Sequence, residues 1–476
     1  MLPHRYHPNP KPRCLAIWLS WILLPALPVT MFSAEKAWIA DLTGDWHDPA
    51  NWSPPGVPTP TDTVRIESGS VRLAQPVIIE GRLDWSGGRI HSGAIDIAAT
   101  GELNLLGEAD KLLTAVTLNN GGLVRWQDAG RLVGSFTGFG QSVLITNLAG
   151  AQWSILNDTN LLFSTPGIGG EFFFIHNAGT LRKTASSGTT TLEGLIQFRN
   201  AGLVAVDQGQ LRFQQPIASE GRFTVAAGAA VELTAGRIDL LPGHTADGEG
   251  FFGLREGTLN LFGTVHGRFD WTGGRLAGSD IRIATDGRLL LDGAADKLLT
   301  GSTLNNEGLF NWTGAGRLIG SFTGFGQSVL ITNLPGGQWS IQTPTNLLFS
   351  TPGVGGEFFH IQNDGLIHQT TPDGAVRFEG PIGLSNQGEL RITDGYLILE
   401  NGLTQDGTLN VAESASLQVV GGQLELGADN VFAGGGPIEI PSGSVRLIGS
   451  LNHTLRVTGG TVSGSSTVHG TLDWLG

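Results

Sequence analysis

Recurring carboxylates are the first residues in this chain that could do chemistry. Asp84-Trp85, Asp270-Trp271 and Asp473-Trp474 repeat one phrase three times, and Asp110 returns as Asp296. Glycoside hydrolysis asks for two carboxyl groups flanking one bond, about 5 to 9.5 Å apart. A carboxylate that appears once in every unit of a repeated chain is expected instead as a turn or ladder residue, because one enzyme seldom needs three copies of its site. Asp292 sits near Asp296 but is matched by Leu106 in the first copy, so that pair is unique to one unit.

Histidines are scattered. His266 and His469 occupy matching positions, His360 and His368 are eight apart, and neither arrangement has metal-ligand spacing. Cys14 is the only cysteine, which leaves no thiol for a disulfide, a metal site or a nucleophile once a leader is removed. The calcium-binding nonapeptide pattern is missing, and the glycine clusters at Gly167–Gly170 and Gly353–Gly356 lack the Lys-Ser/Thr of a phosphate loop. No catalytic residue, metal site or cofactor is expected. Aromatic residues supply the candidate ligand surface: Phe136 and Phe139 with their copies Phe322 and Phe325, and Trp46 and Trp52 near the start. For the phenylalanines the competing expectation is stacking inside the fold, and for the tryptophans it is a cover over the first rung of an open β array.

What must position these residues is a duplication. GSFTGFGQSVLITNL occurs at Gly134–Leu148 and again at Gly320–Leu334, and Trp85, Trp126 and Trp153 return as Trp271, Trp312 and Trp339, an offset of 186 without a gap. Farther on only glycine and apolar spacing survive. A third copy opens with SGSVRL at Ser442–Leu447.

Short alternating runs such as VRIESGSVRL and DIRIATDGRLLLDG, bounded by Gly, Asn or Asp, read as strands, and no window has helical periodicity. The phrase Asn-x-Gly-x-apolar, as in Asn177-Ala178-Gly179-Thr180-Leu181, predicts a left-handed corner before a strand. Asn120, Asn147, Asn177 and Asn200, and their copies Asn306, Asn333, Asn363 and Asn386, repeat at similar intervals and predict inward hydrogen-bonded ladders. The expected fold is all-β, a right-handed parallel β-helix of the pectin-lyase-like solenoid type with an N-terminal cap; an antiparallel sandwich is the competitor. Expected segments are a signal peptide at 1–34, a Trp/Pro-rich cap at 35–68, repeat units at 69–256 and 257–442, and the start of a truncated third at 443–476.

The formal charge of −14 argues against a phosphate-backbone partner. Leu15–Val29, preceded by Arg5, Lys11 and Arg13, reads as a secretory leader too short to span a bilayer. After its removal no integral membrane domain is expected.

The opening GDWHDPANWSPPGVPTPTDTVRI, the phrase NAGTLRKTASSGTTTLEGLIQFRNAGLVAVDQGQLRF and the train GRFTVAAGAAVELTAG resemble the repeats of bacterial secreted or surface β-helix proteins, of the autotransporter-passenger and filamentous-adhesin kind. That resemblance implies an extended non-catalytic rod, secreted or at the cell surface and associated with the outer membrane, meeting surface glycans or cell-surface proteins. It carries over no catalytic residue, and the anchoring partner stays open because no C-terminal membrane barrel follows. The alternatives are a glycan-active β-helix enzyme, although the Asn-x-Asp and Arg-x-Lys signatures of pectin-degrading β-helices are absent, and a carbohydrate-binding module.

Overall fold

A computed structural model describes residues 33–164, 169–278, 280–324, 326–349 and 355–475. The expected leader lies almost wholly outside the described residues. Ala34–Gly476 forms one compact unit. It is all-β: a three-residue 3-10 turn, Pro49–Asn51, is the only helix among the described residues.

Many strands alternate as their sequences do, while others, such as Ala230–Leu233, are buried throughout. In Thr63–Ile66, Val64 and Ile66 point inward while Arg65 is exposed. Neighbouring strands are parallel and in register, and each pairs with the strand one coil later. Leu123–Trp126 pairs with Gln152–Ile155, that with Thr180–Lys183, and that with Leu203–Val206. Three such successions run side by side. The first sheet contains the strands just named; the second contains Leu132–Ser135, Leu161–Ser164 and Thr189–Glu193; the third contains Ser142–Asn147, Phe172–Asn177 and Ile196–Asn200. The architecture is therefore a solenoid-like parallel stack around one apolar interior. Among the described residues the single antiparallel pairing joins Glu35–Trp38 to Trp52–Ser53.

Parallel stacking leaves a polar residue at each inward corner with nowhere to hydrate, and asparagine solves this in a column. Asn120 donates through Nδ2 to Asn147 Oδ1 at 2.8 Å, Asn147 to Asn177 at 2.8 Å, and Asn177 to Asn200 at 2.8 Å. Each also donates to a main-chain carbonyl in the following coil, as Asn147 does to Thr180 O at 3.1 Å. The second repeat rebuilds the column from Asn306 through Asn333 and Asn363 to Asn386, and ends on Gln405. The expected ladder is present, with all its asparagines buried.

The glycine of the Asn-x-Gly phrase has a different reason from the one expected. Gly179, Gly202, Gly365 and Gly388 do not have positive φ. What excludes a side chain is close approach: a Cβ on Gly202 would lie 2.1 Å from Gly179 O, and one on Gly388 2.1 Å from Gly365 O. Those carbonyls accept the N–H groups of Leu203 and Glu389 in the next coil.

Between the repeats the coil narrows. Thr258 pairs with Arg275, 17 residues on, whereas ladder asparagines are separated by 23 to 30. The first and second sheets of the first repeat, ending at Thr245–Asp247 and Phe251–Leu254, are both met by the single run 264–271. The third sheet's run 258–265 is followed by two strands, Gly274–Ala277 and 281–283, from which the second and third sheets of the second repeat continue.

Candidate ligand grooves on the third sheet

The ladder asparagines fix which residues share the outward face of the third sheet. The residue before each asparagine points out, so Thr146, His176, Arg199 and Ala218 form one column, continued by Asp239. Two residues earlier in each strand a second column holds Leu144, Phe174 and Gln197. Pro216 and Ala218 are short, and the columns sink there into a groove of about 430 Å³, walled by Phe174, His176 and Arg199 on one side and Asp239 on the other.

The second repeat has its own groove at the corresponding place, about 190 Å³, lined by His360, Gly383, Ser385, Gly402, Thr404 and Glu425. By the offset of 186 these are the partners of Phe174, Gln197, Arg199, Pro216, Ala218 and Asp239. Position is kept while side chains change. The His360 ring lies over Gly383, and its Nδ1 would stand 2.5 Å from a Cβ there. Burial holds His360 below its usual range, so the imidazole is neutral at neutral pH and can meet the Ser385 hydroxyl at 3.3 Å.

The charges in these grooves are matched. Arg199 Nη2 lies 3.0 Å from Glu220, and Arg237 grips both oxygens of Asp239 at 2.8 and 2.9 Å while its guanidinium covers the Phe262 ring at 4.1 Å. Glu425 in the second groove accepts from Arg446 at 3.1 Å.

At the edge of the third sheet the duplicated SFTGFGQSV loop is held by its own glutamine. Gln141 Oε1 accepts from the N–H groups of Thr137 at 2.8 Å and Gly138 at 3.2 Å, and Gln327 does the same for Thr323 at 2.7 Å and Gly324 at 3.2 Å. Phe139 stands 76% exposed at the tip. Where the strand begins, Phe172 is 46% exposed and stacks on Phe174 with ring centroids 5.6 Å apart; its copy Phe358 is 52% exposed.

The expected ligand residues are thus divided. Phe139 faces solvent, whereas Phe136 is buried against Phe163 at 4.8 Å and Phe322 is partly buried against Phe349 at 5.0 Å. Phe325 lies outside the described residues. Trp46 and Trp52 offer no face to a ligand: both are buried, packed edge to face at 4.8 Å with Trp38 against Trp52 at 5.1 Å, and Trp52 donates to Trp46 O at 2.7 Å. Trp46, in the turn after Thr43–Asp45, and Trp52, at the start of Trp52–Ser53, close the first coil from within. Missed in the sequence were His176 and Arg199, which the position before a ladder asparagine marks as outward-facing, and Asp239, which precedes Leu240 and carries no such mark.

The recurring carboxylates are occupied. Asp110 binds Arg131 through both oxygens and Asp296 binds Arg317 likewise, with closest approaches of 2.6 Å. Hydrogen bonds from those arginines hold both carboxyls below the usual range. Asp84 accepts from Asn104 at 2.9 Å, while Asp270 is buried, which pushes its carboxyl up, and pairs with Arg268 at 2.7 Å. Among the described residues no group of three or more His, Cys, Asp or Glu is placed to hold a metal ion.

His244 ends the first ladder, with Nδ1 3.1 Å from Ser219 Oγ and its ring against Phe223 and Phe252. Burial, reinforced by His266, pushes it down to about 4 from 6.5. The fold therefore holds the neutral ring, and its contribution is complete above about pH 6.5 and lost as pH falls toward 4. A chemical-denaturation series across that window is expected to show falling stability in the native chain, and a shallower fall in His244→Asn. Equal slopes would assign the acid sensitivity elsewhere.

No protein-family model matches the chain, and a search of curated proteins returns no match.

Proposed function

We propose that this chain is a right-handed parallel β-helix acting as a non-catalytic, adhesin-like scaffold, secreted or at a bacterial cell surface, that meets surface glycans or cell-surface proteins along its third sheet. Parallel strands joined by crossover connections are right-handed in nearly all proteins, which supports the handedness. The observation that carries the functional reading is the tethering of Asp110 and Asp296 to Arg131 and Arg317 one coil away. Carboxylates engaged in this way lock coil to coil and are poorly placed to exchange protons with a substrate.

One feature favours a second reading, a glycan-active enzyme. A groove of about 320 Å³ at the seam between repeats is lined by Asp247, Glu249, Asp286, Arg268 and Arg288, with His266 Nδ1 2.8 Å from Asp286. Screening the secreted chain on a glycan array alongside a reducing-sugar assay separates the two. The scaffold predicts retention without release of reducing ends; release that disappears in Asp286→Asn would replace it with the enzyme.

A further inference from the structure

We propose that the two third-sheet grooves bind a single extended, uncharged polysaccharide at two points, with Phe172 and Phe174 as the platform in the first repeat and Phe358 and His360 in the second. This rests on reading the protein as a surface scaffold.

Placement comes first. The grooves lie on one continuous hydrogen-bonded succession. From Phe172–Asn177 it passes through Ile196–Asn200, Ile217–Ser219, Ala235–Leu240, the runs 258–265 and 281–283, Thr303–Asn306 and Ser328–Asn333 to Phe358–Asn363. Eight inter-strand spacings of about 4.8 Å place the platforms roughly 40 Å apart along the stack. Between them the outward positions Asn305 and Thr332 keep hydrogen-bonding groups along the same face.

Side-chain chemistry identifies the ligand. Half-exposed phenylalanines on an otherwise polar sheet present flat apolar faces suited to the C–H face of a sugar ring. Beside them stand hydrogen-bonding groups, the planar Gln197, Arg199 and Asp239 in one groove and the hydroxyls of Ser385 and Thr404 with the Glu425 carboxylate in the other. Such groups can engage neighbouring hydroxyls. Arg199, Arg237 and Glu425 are each already neutralised by a partner, so neither groove offers an unmatched charge to a uronate or a sulfate. A protein partner would need a contiguous patch with an apolar centre, whereas the outward positions Arg282, Asn305 and Thr332 between the two grooves are polar and keep the apolar platforms apart.

Two weak sites on one sheet convert the second contact into an intramolecular event, worth 10²- to 10⁴-fold in affinity once the ligand spans both. The test uses the full secreted chain and size-graded cello-, malto- and manno-oligosaccharides, with polygalacturonate as the acidic control, read by calorimetry. In one neutral series the affinity is expected to rise at least about 100-fold once the chain exceeds roughly 40 Å. Phe172→Ala and Phe358→Ala should each remove that rise and leave short-chain binding. Both side chains are half exposed, so melting curves should be unchanged; Thr404→Trp, which fills the second groove from an exposed position, should act like Phe358→Ala. Affinity independent of length, preference for polygalacturonate, or indifference to all three variants overturns the inference. If the chain adheres to cells but binds none of these sugars, the scaffold reading survives and the polysaccharide inference falls; if reducing ends are released, the scaffold reading itself falls.

Discussion

Asn333→Ala is expected to destabilise the coils on either side of it by about 3–5 kcal/mol, because it leaves several buried groups unpaired at once. The Asn333 side chain accepts from Asn306 at 2.7 Å and donates to Asn363 Oδ1 at 2.7 Å and to Leu366 O at 3.1 Å, with no exposure. Alanine removes all three bonds, and the site has no contact with water to replace them. In a stacked array the loss stays near the lesion. Amide hydrogen exchange should therefore show protection falling at Leu334 and Leu366, while amides in the first repeat keep theirs. Asn333→Asp should be worse near neutral pH, since it exchanges a donor for a buried charge, and should recover in part on acidification. A uniform loss of protection along the chain would contradict the ladder as a local device.

Lys183→Ala is the second large effect, expected to cost about 3–5 kcal/mol from the cavity left behind and the buried acceptors left unpaired; Asp158 is 42% exposed and rehydrates when its partner is lost. Lys183 is fully buried, and its ammonium donates to Asn157 O at 2.6 Å, Asp158 Oδ1 at 2.9 Å, Ser186 Oγ at 2.9 Å and Thr190 Oγ1 at 3.2 Å. Burial pushes the Asp158 carboxyl up, but hydrogen bonds from Ser186 and Lys183 outweigh it and hold the group below its usual range. The stability this adds is present above the ordinary carboxylate pKa and is lost as pH falls through the lowered one. The second repeat provides the control. There Gln369 replaces Lys183 and Pro344 replaces Asp158, so both charges are gone together. Gln369 keeps a donor role, reaching Thr371 at 2.7 Å and Tyr396 O at 3.0 Å. The double variant Lys183→Gln with Asp158→Pro should therefore be milder in urea unfolding than Lys183→Ala alone; equal costs would mean that the salt link, which both variants lack, and not the filled corner, dominates.

Legibility in the sequence followed locality. Strand alternation and the asparagine intervals are set by neighbours in the chain and by one repeated corner, and both could be read directly. The glycine of the Asn-x-Gly phrase, as at Gly202 and Gly388, was readable as necessary but not for the right reason, because its constraint is a carbonyl one coil away. Lys111, Lys183 and Lys297 were unread although each has inward parity; lysine is seldom buried, and here its ammonium is satisfied by corner carbonyls such as Gly107 O at 3.1 Å and Ala295 O at 2.8 Å. Burial lowers Lys297 to about 8. The grooves were hidden for a third reason. Phe174, Arg199, Ala218 and Asp239 are brought together only by coil circumference, and circumference varies from coil to coil.

That variation has a consequence at the seam. A main-chain ladder requires only that its neighbour be extended; it is indifferent to which side chains the neighbour carries. Two sheets can therefore converge on the run 264–271, and one can fork into two after it, without leaving either strand row unpaired. A recombination joint that falls partway round a turn is consequently survivable, and a lineage can lengthen such a protein by whole-gene-segment duplication without first matching the girth of the parts it joins.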